Sequence, residues 1–408
     1  MYTILETFVG AGGSHLGFKR AGFKSVFVND IDKNFLKTLR YNNPDTEKTA
    51  VINNDDILNL DGNVILRQTK LKPGDLDVMF GGIVCKGFSL AGERSPNDQR
   101  NYYYRKQLEL VSILKPKISI IENVPGIINA EILRYDVDDE VKEKVDKLWK
   151  EIENYKGQKA YYRKTNNITE ELENYGKALR DEKEKLVNEL RNSNNLISVK
   201  EDIELIYKKI GYSLQYKILN SSWFGSATKR DRVIFVAVRN DINIKFEYPK
   251  KEYGNGTNKK LRTVFDALSL IDYSNKDDPD NIPMNHSPKT IERFKYIGQG
   301  ENLAEKIDLL PDDLKISKFY SRGSTMRLDG NKPSPTLVPG HSNFPIHPIE
   351  NRSITVREAA TITGFPTNYK FFGSHTKRCE QVGNAVPPDL AFAIAKQCVK
   401  LLNQYYKK

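Results

Sequence analysis

Asp77-Val78-Met79-Phe80-Gly81-Gly82-Ile83-Val84-Cys85-Lys86-Gly87-Phe88-Ser89 is the stretch around which the rest of the chain is organised. A short apolar run meets two glycines, then a cysteine, then a third glycine. The run reads as a buried strand, and the glycines permit a tight turn and close approach of a ligand to the backbone. A cysteine at the carboxyl end of such a strand faces the crevice where open α/β sheets place their chemistry. The stretch also suits a small buried hydrophobe, because unpaired cysteine is among the most buried residue types.

Upstream, residues 3–9 read as a strand that runs into Gly10-Ala11-Gly12-Gly13-Ser14-His15-Leu16-Gly17-Phe18. A short helix follows, and then a strand, Ser25-Val26-Phe27-Val28, that ends in Asn29-Asp30-Ile31-Asp32. This is a β-loop-α-β unit with a glycine-rich first turn and an acid closing its second strand. In nucleotide-binding α/β folds such an acid accepts hydrogen bonds from ribose hydroxyls. No phosphate-gripping lysine follows the glycines, which points to an adenosyl group without a triphosphate. A third strand, Thr49-Ala50-Val51-Ile52, leads to Asp55-Asp56-Ile57, where Asp56 can meet an adenine amino group. Either acid could instead cap a helix. Downstream of Cys85, the strand Ile118-Ser119-Ile120-Ile121 ends in Glu122-Asn123-Val124-Pro125-Gly126. Glycines, Asp30, Asp56, Cys85 and Glu122 therefore close five strands in series, which packing alone does not require. The expected fold class is α/β, a Rossmann-like, mostly parallel sheet with a smaller loop-rich domain and a helical insertion.

At 408 residues, 38% hydrophobic and 29% charged, the chain is long enough for two domains. It holds no apolar run of the roughly eighteen residues that a membrane span needs. The first residues enter a strand at once, leaving no room for a signal peptide, so a cytoplasmic location is expected. Cys85, Cys379 and Cys398 show no pairing or metal-ligand spacing, which fits a reducing compartment and no metal site. The net charge of +11 suits a polyanionic partner, although a basic drift of the whole proteome would produce the same excess.

In their order, these segments resemble the C5-cytosine DNA methyltransferases. Thr7-Phe8-Val9-Gly10-Ala11-Gly12-Gly13 resembles the family's S-adenosylmethionine-binding motif, and Gly81 to Ser89 its catalytic-cysteine motif. Asp98-Gln99-Arg100-Asn101 is similar to the segment that follows the cysteine, Glu122-Asn123-Val124 to the glutamate motif, and Thr228-Lys229-Arg230-Asp231-Arg232 to the paired-arginine motif. Arg352 to Ala360 and Gln381 to Pro388 resemble the two late motifs. The likeness covers roughly residues 3–130 and 205–400, and the ordered set is far more specific than any member. Three departures stand out: Val84-Cys85-Lys86 where the family has Pro-Cys-Gln, Thr228 for a glutamine, and Asp30 for a glutamate.

The resemblance implies catalytic roles for Cys85, Glu122, Arg230 and Arg232. It implies a cofactor pocket of Phe8, Gly10, Gly12, Asp30, Ile31, Asp56, Ile57, Asn384 and Val386, with S-adenosylmethionine as methyl donor. Lys86, Ser89, Arg322 and Arg327 are the expected DNA contacts, and duplex DNA the partner. A cognate restriction endonuclease acting separately and a monomeric state are further expectations. The tRNA-methylating branch of the superfamily is the first rival, but its Cys-Phe-Thr signature is missing here. A non-catalytic nucleic-acid-binding relative is the second, and intact Cys85 and Glu122 speak against it.

The expected organisation is a catalytic domain over 1–129, continued over 206–247 and closed by late motifs and a helix over 349–408. Residues 130–205 form an insertion, and 248–348 the target-recognition domain, where Pro, Gly, Asn and Lys rise and helical periodicity falls. Within the insertion Val137, Val141, Val145, Leu148, Ile152 and Tyr155 make one apolar stripe, and Leu172, Tyr175, Leu179, Leu186 and Leu190 a second. The two predict a helical hairpin, with a polar turn from Gly157 to Thr169. It could be a spacer packed on the catalytic domain or an arm for DNA or a partner, and its mixed charge argues against a purely phosphate-binding role.

Overall fold

The computed structural model describes residues 1–83, 95–165, 167–316, 325–340 and 344–407. The chain divides into two compact units. The first comprises Met1–Gly82, Glu109–Glu122 and Ser213–Lys408; the second comprises Ile83–Leu108 and Asn123–Tyr212.

The first unit is built on strands β1 (Thr3–Thr7), β2 (Lys24–Asn29), β3 (Val51–Asn53), β4 (Val78–Gly82) and β5 (Ile118–Asn123). The strand pair β6 (Glu131–Leu133) and β7 (Leu196–Ser198) belongs to the second unit. Strands β8 (Tyr212–Asn220) and β9 (Asp231–Arg239) complete a seven-stranded sheet in the order β3-β2-β1-β4-β5-β9-β8. The pairs β1–β2, β1–β4, β2–β3 and β4–β5 are parallel. The α/β, mostly parallel fold expected from the sequence is the fold observed. Strand order reverses between β1 and β4, and the carboxyl ends of strands at such a switch point form a ligand crevice.

Alternate residues of the central strands, among them Val78, Phe80, Ile118, Ile120, Ile234 and Val236, pack with Phe18, Leu390 and Ile394 of two helices, Gly13–Arg20 and Pro388–Tyr406. Their approach depends on Gly17, where a Cβ would stand 2.5 Å from both the Ala391 Cβ and the Phe392 nitrogen. Only a residue without a side chain lets the two helices meet this closely. Residues 248–348 carry short helices at Val264–Leu268 and Pro288–Phe294, several single turns, and an apolar cluster of Phe294, Ile297, Leu303, Leu310, Leu314 and Ile346.

The second unit contains a helical hairpin, Asp139–Lys164 and Glu170–Asn192. Val145, Leu148, Ile152 and Tyr155 of the first helix meet Leu179, Leu186 and Leu190 of the second, as the two stripes predict, except that Val137 precedes the first helix and Tyr175 is exposed. The expected turn from Gly157 is corrected: helix continues to Lys164, and Thr169 caps the second helix by accepting the Leu172 N–H at 3.2 Å. Lysines and alanine between Gly157 and Lys164 have good helix propensity, enough to carry the helix past one glycine.

Candidate active site

Strand β1 ends in a turn that needs left-handed backbone at Phe8, Gly10 and Gly12, with φ of 52°, 58° and 95°. Glycine adopts this conformation without strain; Phe8 does so against its preference. The turn is fastened from several sides. The Gly10 N–H donates to the Asp30 carboxylate at 2.8 Å, and the other Asp30 oxygen accepts the Asp32 N–H at 2.9 Å. The Tyr369 hydroxyl donates to the Ala11 carbonyl at 2.6 Å. Beneath the turn, buried Glu6 accepts from Ser14 at 2.9 Å and pairs with His15 at 2.7 Å.

Asp30 is buried, and loss of water pushes its carboxyl up to about 6, against the opposing pull of the two N–H donors. Next to it Ile31 is 65% exposed, an apolar surface at the sheet edge. The Asn54 amide holds both the Asp30 and Ile31 carbonyls, at 2.9 and 3.0 Å. Asp56 takes the capping role that its position also allowed, accepting the Leu58 N–H at 3.0 Å, and Ile57 behind it is buried. Asp32, which caps the next helix, pairs with Lys377 at 3.0 Å and is held below the usual carboxylate range: that bond and its N–H donors outweigh burial.

The end of β4 lies at the centre of these groups. A Cβ at Gly82 would stand 3.6 Å from both the Glu122 Oε2 and the Val386 Cγ2, and 3.7 Å from the Phe8 carbonyl oxygen. Glu122, paired with Gly82 across the strands, is 6% exposed. Its Oε1 receives the Arg232 Nε at 2.7 Å, and Arg232 also donates to the Asp231 carbonyl at 2.7 Å. Arg230 is buried and donates to the Leu337 carbonyl at 3.4 Å. Around it the 228–230 segment is laced to residues 334–336: Thr228 donates to the Pro335 carbonyl and Thr336 to the Lys229 carbonyl. Asn384 is exposed at the end of the helix His375–Asn384, and Val386 follows it.

Cys85, Lys86, Ser89 and Arg322 lie outside the described residues. In the second unit, the Asn123 amide holds the Ile83 carbonyl at 3.2 Å, two residues before Cys85. Arg327 is a correction. It is buried, and its guanidinium donates to the carbonyls of Phe294, Ile297, His347 and Glu350 and to the Asn351 side chain. A fork so committed organises its own loops and has no donor to offer DNA. Tyr369, Asn54 and Lys377 also fasten this site, and no sequence motif marks them. Each acts on a segment hundreds of residues away or by a backbone contact that no local pattern announces.

These residues fit S-adenosylmethionine. Gly10 has open space where a Cβ would point, the Asp30 carboxylate stands 2.8 Å from the Gly10 nitrogen, and Ile31 offers an apolar face. No group of acids, histidines and cysteines able to hold a metal occurs among the described residues. A doubly anchored glycine turn at the switch point, with a buried Glu–Arg pair beside it, defines the α/β methyltransferase class. A family model for C-5 cytosine-specific DNA methylase matches residues 2–148 and 187–400, and the chain belongs to that family. It is 30% identical to a type II methyltransferase, M.PspPI, of Psychrobacter sp. (strain TA137), over 98% of this chain and 80% of that protein. It is 28% identical to type II methyltransferase M.Eco47II of Escherichia coli, over 100% and 81%. The crystal structure of a candidate DNA modification methyltransferase encoded in an Escherichia coli prophage superposes with a TM-score of 0.61, at 24% identity over 99% of this chain and 100% of that one. The protein thus transfers a methyl group from S-adenosylmethionine to C5 of cytosine in DNA. No described helix is long and apolar enough to cross a membrane.

Proposed function

We propose that Cys85, Glu122, Arg230 and Arg232 carry this reaction on a cytosine rotated out of the duplex, at a cost of a few kcal/mol offset by contacts to the DNA backbone. C5 of cytosine is a weak nucleophile. Addition of the Cys85 thiolate to C6 moves the ring's π electrons toward C5 and N3. Glu122 faces N3 and stabilises the charge that develops there by hydrogen bonding or proton donation. Arg232, bonded to Glu122, orients that carboxyl and supplies positive field, while Arg230 holds the base carbonyl or a phosphate. S-adenosylmethionine supplies the methyl group that C5 accepts. Loss of the C5 proton to a base then expels Cys85 and restores the aromatic ring.

The Gly10–Gly12 turn and Phe8 hold the methionine and adenine ends of the cofactor. Asp30 accepts from the ribose hydroxyls, Ile31, Asp56 and Ile57 border the adenine, and Asn384 and Val386 close the pocket. Residues 248–348 read the DNA sequence, Lys86, Ser89 and Arg322 touch the DNA, and the catalytic domain is made of residues 1–129, 206–247 and 349–408. The protein acts as a monomer in the cytoplasm and protects host DNA from a separate cognate nuclease.

The observation that carries this reading is the meeting of Glu122, Val386 and Phe8 around Gly82, with Arg232 bonded to Glu122 at 2.7 Å. The test is bisulfite sequencing of DNA from a methylation-free host that expresses the wild type or Cys85→Ser. One short motif methylated by the wild type alone is expected. A Cys85→Ser protein that still methylates removes the assigned nucleophile. A 5-fluorocytosine duplex carrying that motif should form a covalent complex with the wild type.

A further inference from the structure

The two segments that match the family model leave out residues 149–186, the distal part of the helical hairpin. Charge along the first helix of this hairpin is segregated, whereas the second helix opens with Glu170, Glu171 and Glu173 and is mixed. The proximal part of the first helix mixes lysines with Asp139, Glu140, Glu143, Asp146, Glu151 and Glu153, whereas from Asn154 to Thr169 there are four basic residues and no acid. The stripe of Val145, Leu148, Ile152 and Tyr155 gives way, at helical spacing, to Lys156, Lys159 and Arg163. Across from it Arg180 and Lys183 of the second helix line the same open cleft as Lys156. Tyr161 and Tyr162 stand at the end, 65% and 40% exposed, their rings edge to face at 5.6 Å. Lys159 pairs with Glu173 at 2.7 Å, but an exposed pair of this kind is worth little and can be exchanged for a phosphate.

A helix face that is only solvated has no need to exclude acids over the three turns from Asn154 to Lys164 or to present two exposed aromatic rings beside the basic residues. Both features suit a phosphate backbone, and DNA is this family's substrate. The first helix, at 26 residues, is about 39 Å long, slightly more than one turn of B-form DNA at roughly 34 Å. We propose that the distal end of the hairpin, through Lys156, Arg163, Arg180 and Lys183 with Tyr161 and Tyr162, grips the phosphate backbone of duplex DNA outside the methylated sequence. The proposal rests on the DNA methyltransferase reading and adds to it a contact that the family's shared segments do not provide.

The test uses the full chain and labelled random-sequence duplexes of roughly one and four helical turns. Wild type is compared with the charge-reversed set Lys156→Glu, Arg163→Glu and Arg180→Glu, and with the milder glutamine set at the same positions. Wild-type binding to the long duplex should fall more steeply with salt than binding to the short one. Both variant sets should lower that slope by roughly 2–3 and weaken long-duplex binding about tenfold, with short-duplex binding and methyl transfer at saturating DNA retained. Unchanged affinity and slope in variants that unfold at the wild-type temperature would overturn the proposal and leave the basic end as a solvated face. Methyl incorporation by the wild type is measured alongside. Its absence strikes the underlying reading, whereas normal incorporation with unchanged variant binding strikes only the role of the hairpin.

Discussion

The buried carboxyl of Asp30 gives a pH dependence with a definite sign. In the folded protein it titrates near 6, chiefly because burial disfavours its charge, whereas an unfolded aspartate titrates near 3.9. Between these values the native state holds a proton that the unfolded chain has lost. Stability from this group is therefore full below about pH 4, declines as pH rises through 6, and is gone above it, a span of ~3 kcal/mol. Cofactor binding runs the other way. Ribose hydroxyls need an acceptor, so the ionised form is the competent one. At pH 5 about a tenth of the molecules carry it, and the apparent Kd for S-adenosylhomocysteine should be about tenfold weaker than at pH 7.5. Titration calorimetry of wild type and Asp30→Asn measures this. The variant should bind more weakly throughout and without the inflection near 6, and its stability relative to wild type should shift by ~3 kcal/mol between pH 4 and 7.5. A wild-type Kd that is flat from pH 5 to 7.5 would refute both the burial argument and the assignment of Asp30 to the ribose.

Arg232→Ala leaves the buried Glu122 without its partner and should cost about 3–5 kcal/mol in urea unfolding. The double variant Glu122→Leu and Arg232→Met should recover most of that stability but none of the single-turnover methyl transfer. Gly17→Ala forces a Cβ onto Ala391 and Phe392 and should destabilise by about 1–2 kcal/mol, overpacking outweighing the gain in helix propensity. Gly157→Ala, in a helix with nothing near its Cβ position, should stabilise by up to about 1 kcal/mol, and opposite signs in thermal melts check the pair. Tyr369→Phe removes the bond to the Ala11 carbonyl, costs about 1 kcal/mol, and should raise the cofactor Kd several-fold with little change in kcat.

The first five strands were legible because short apolar runs there lead into glycines or an acid, and burial on both faces of the central ones demands such runs. Catalytic roles for Glu122 and Arg232 followed from the family resemblance, but their direct bond did not, since it depends on β5 and β9 being neighbours. Arg327 misled because its chemistry depends on acceptors supplied by residues 294–351, which no local pattern reveals. Arg357 is the reverse case. It stands in a late motif, yet it is a buried structural cation bonded to Asp278 at 2.7 Å and to the Tyr369 carbonyl at 2.6 Å. Through Tyr369 it supports the glycine turn from a distance.

The anchoring of the glycine turn by Tyr369, and of its helix by Ala391, bears on how the protein is made. During synthesis the Gly10–Gly17 segment leaves the ribosome about 370 residues before Ala391 does, a delay of roughly 20–75 s at bacterial to eukaryotic elongation rates. Throughout that interval the nascent chain has the cofactor's glycines but not the wall that holds them in place. A chain released before Tyr369 and Ala391 should therefore bind the methyl donor weakly, and residues 248–348 are already synthesised by the time that wall is complete.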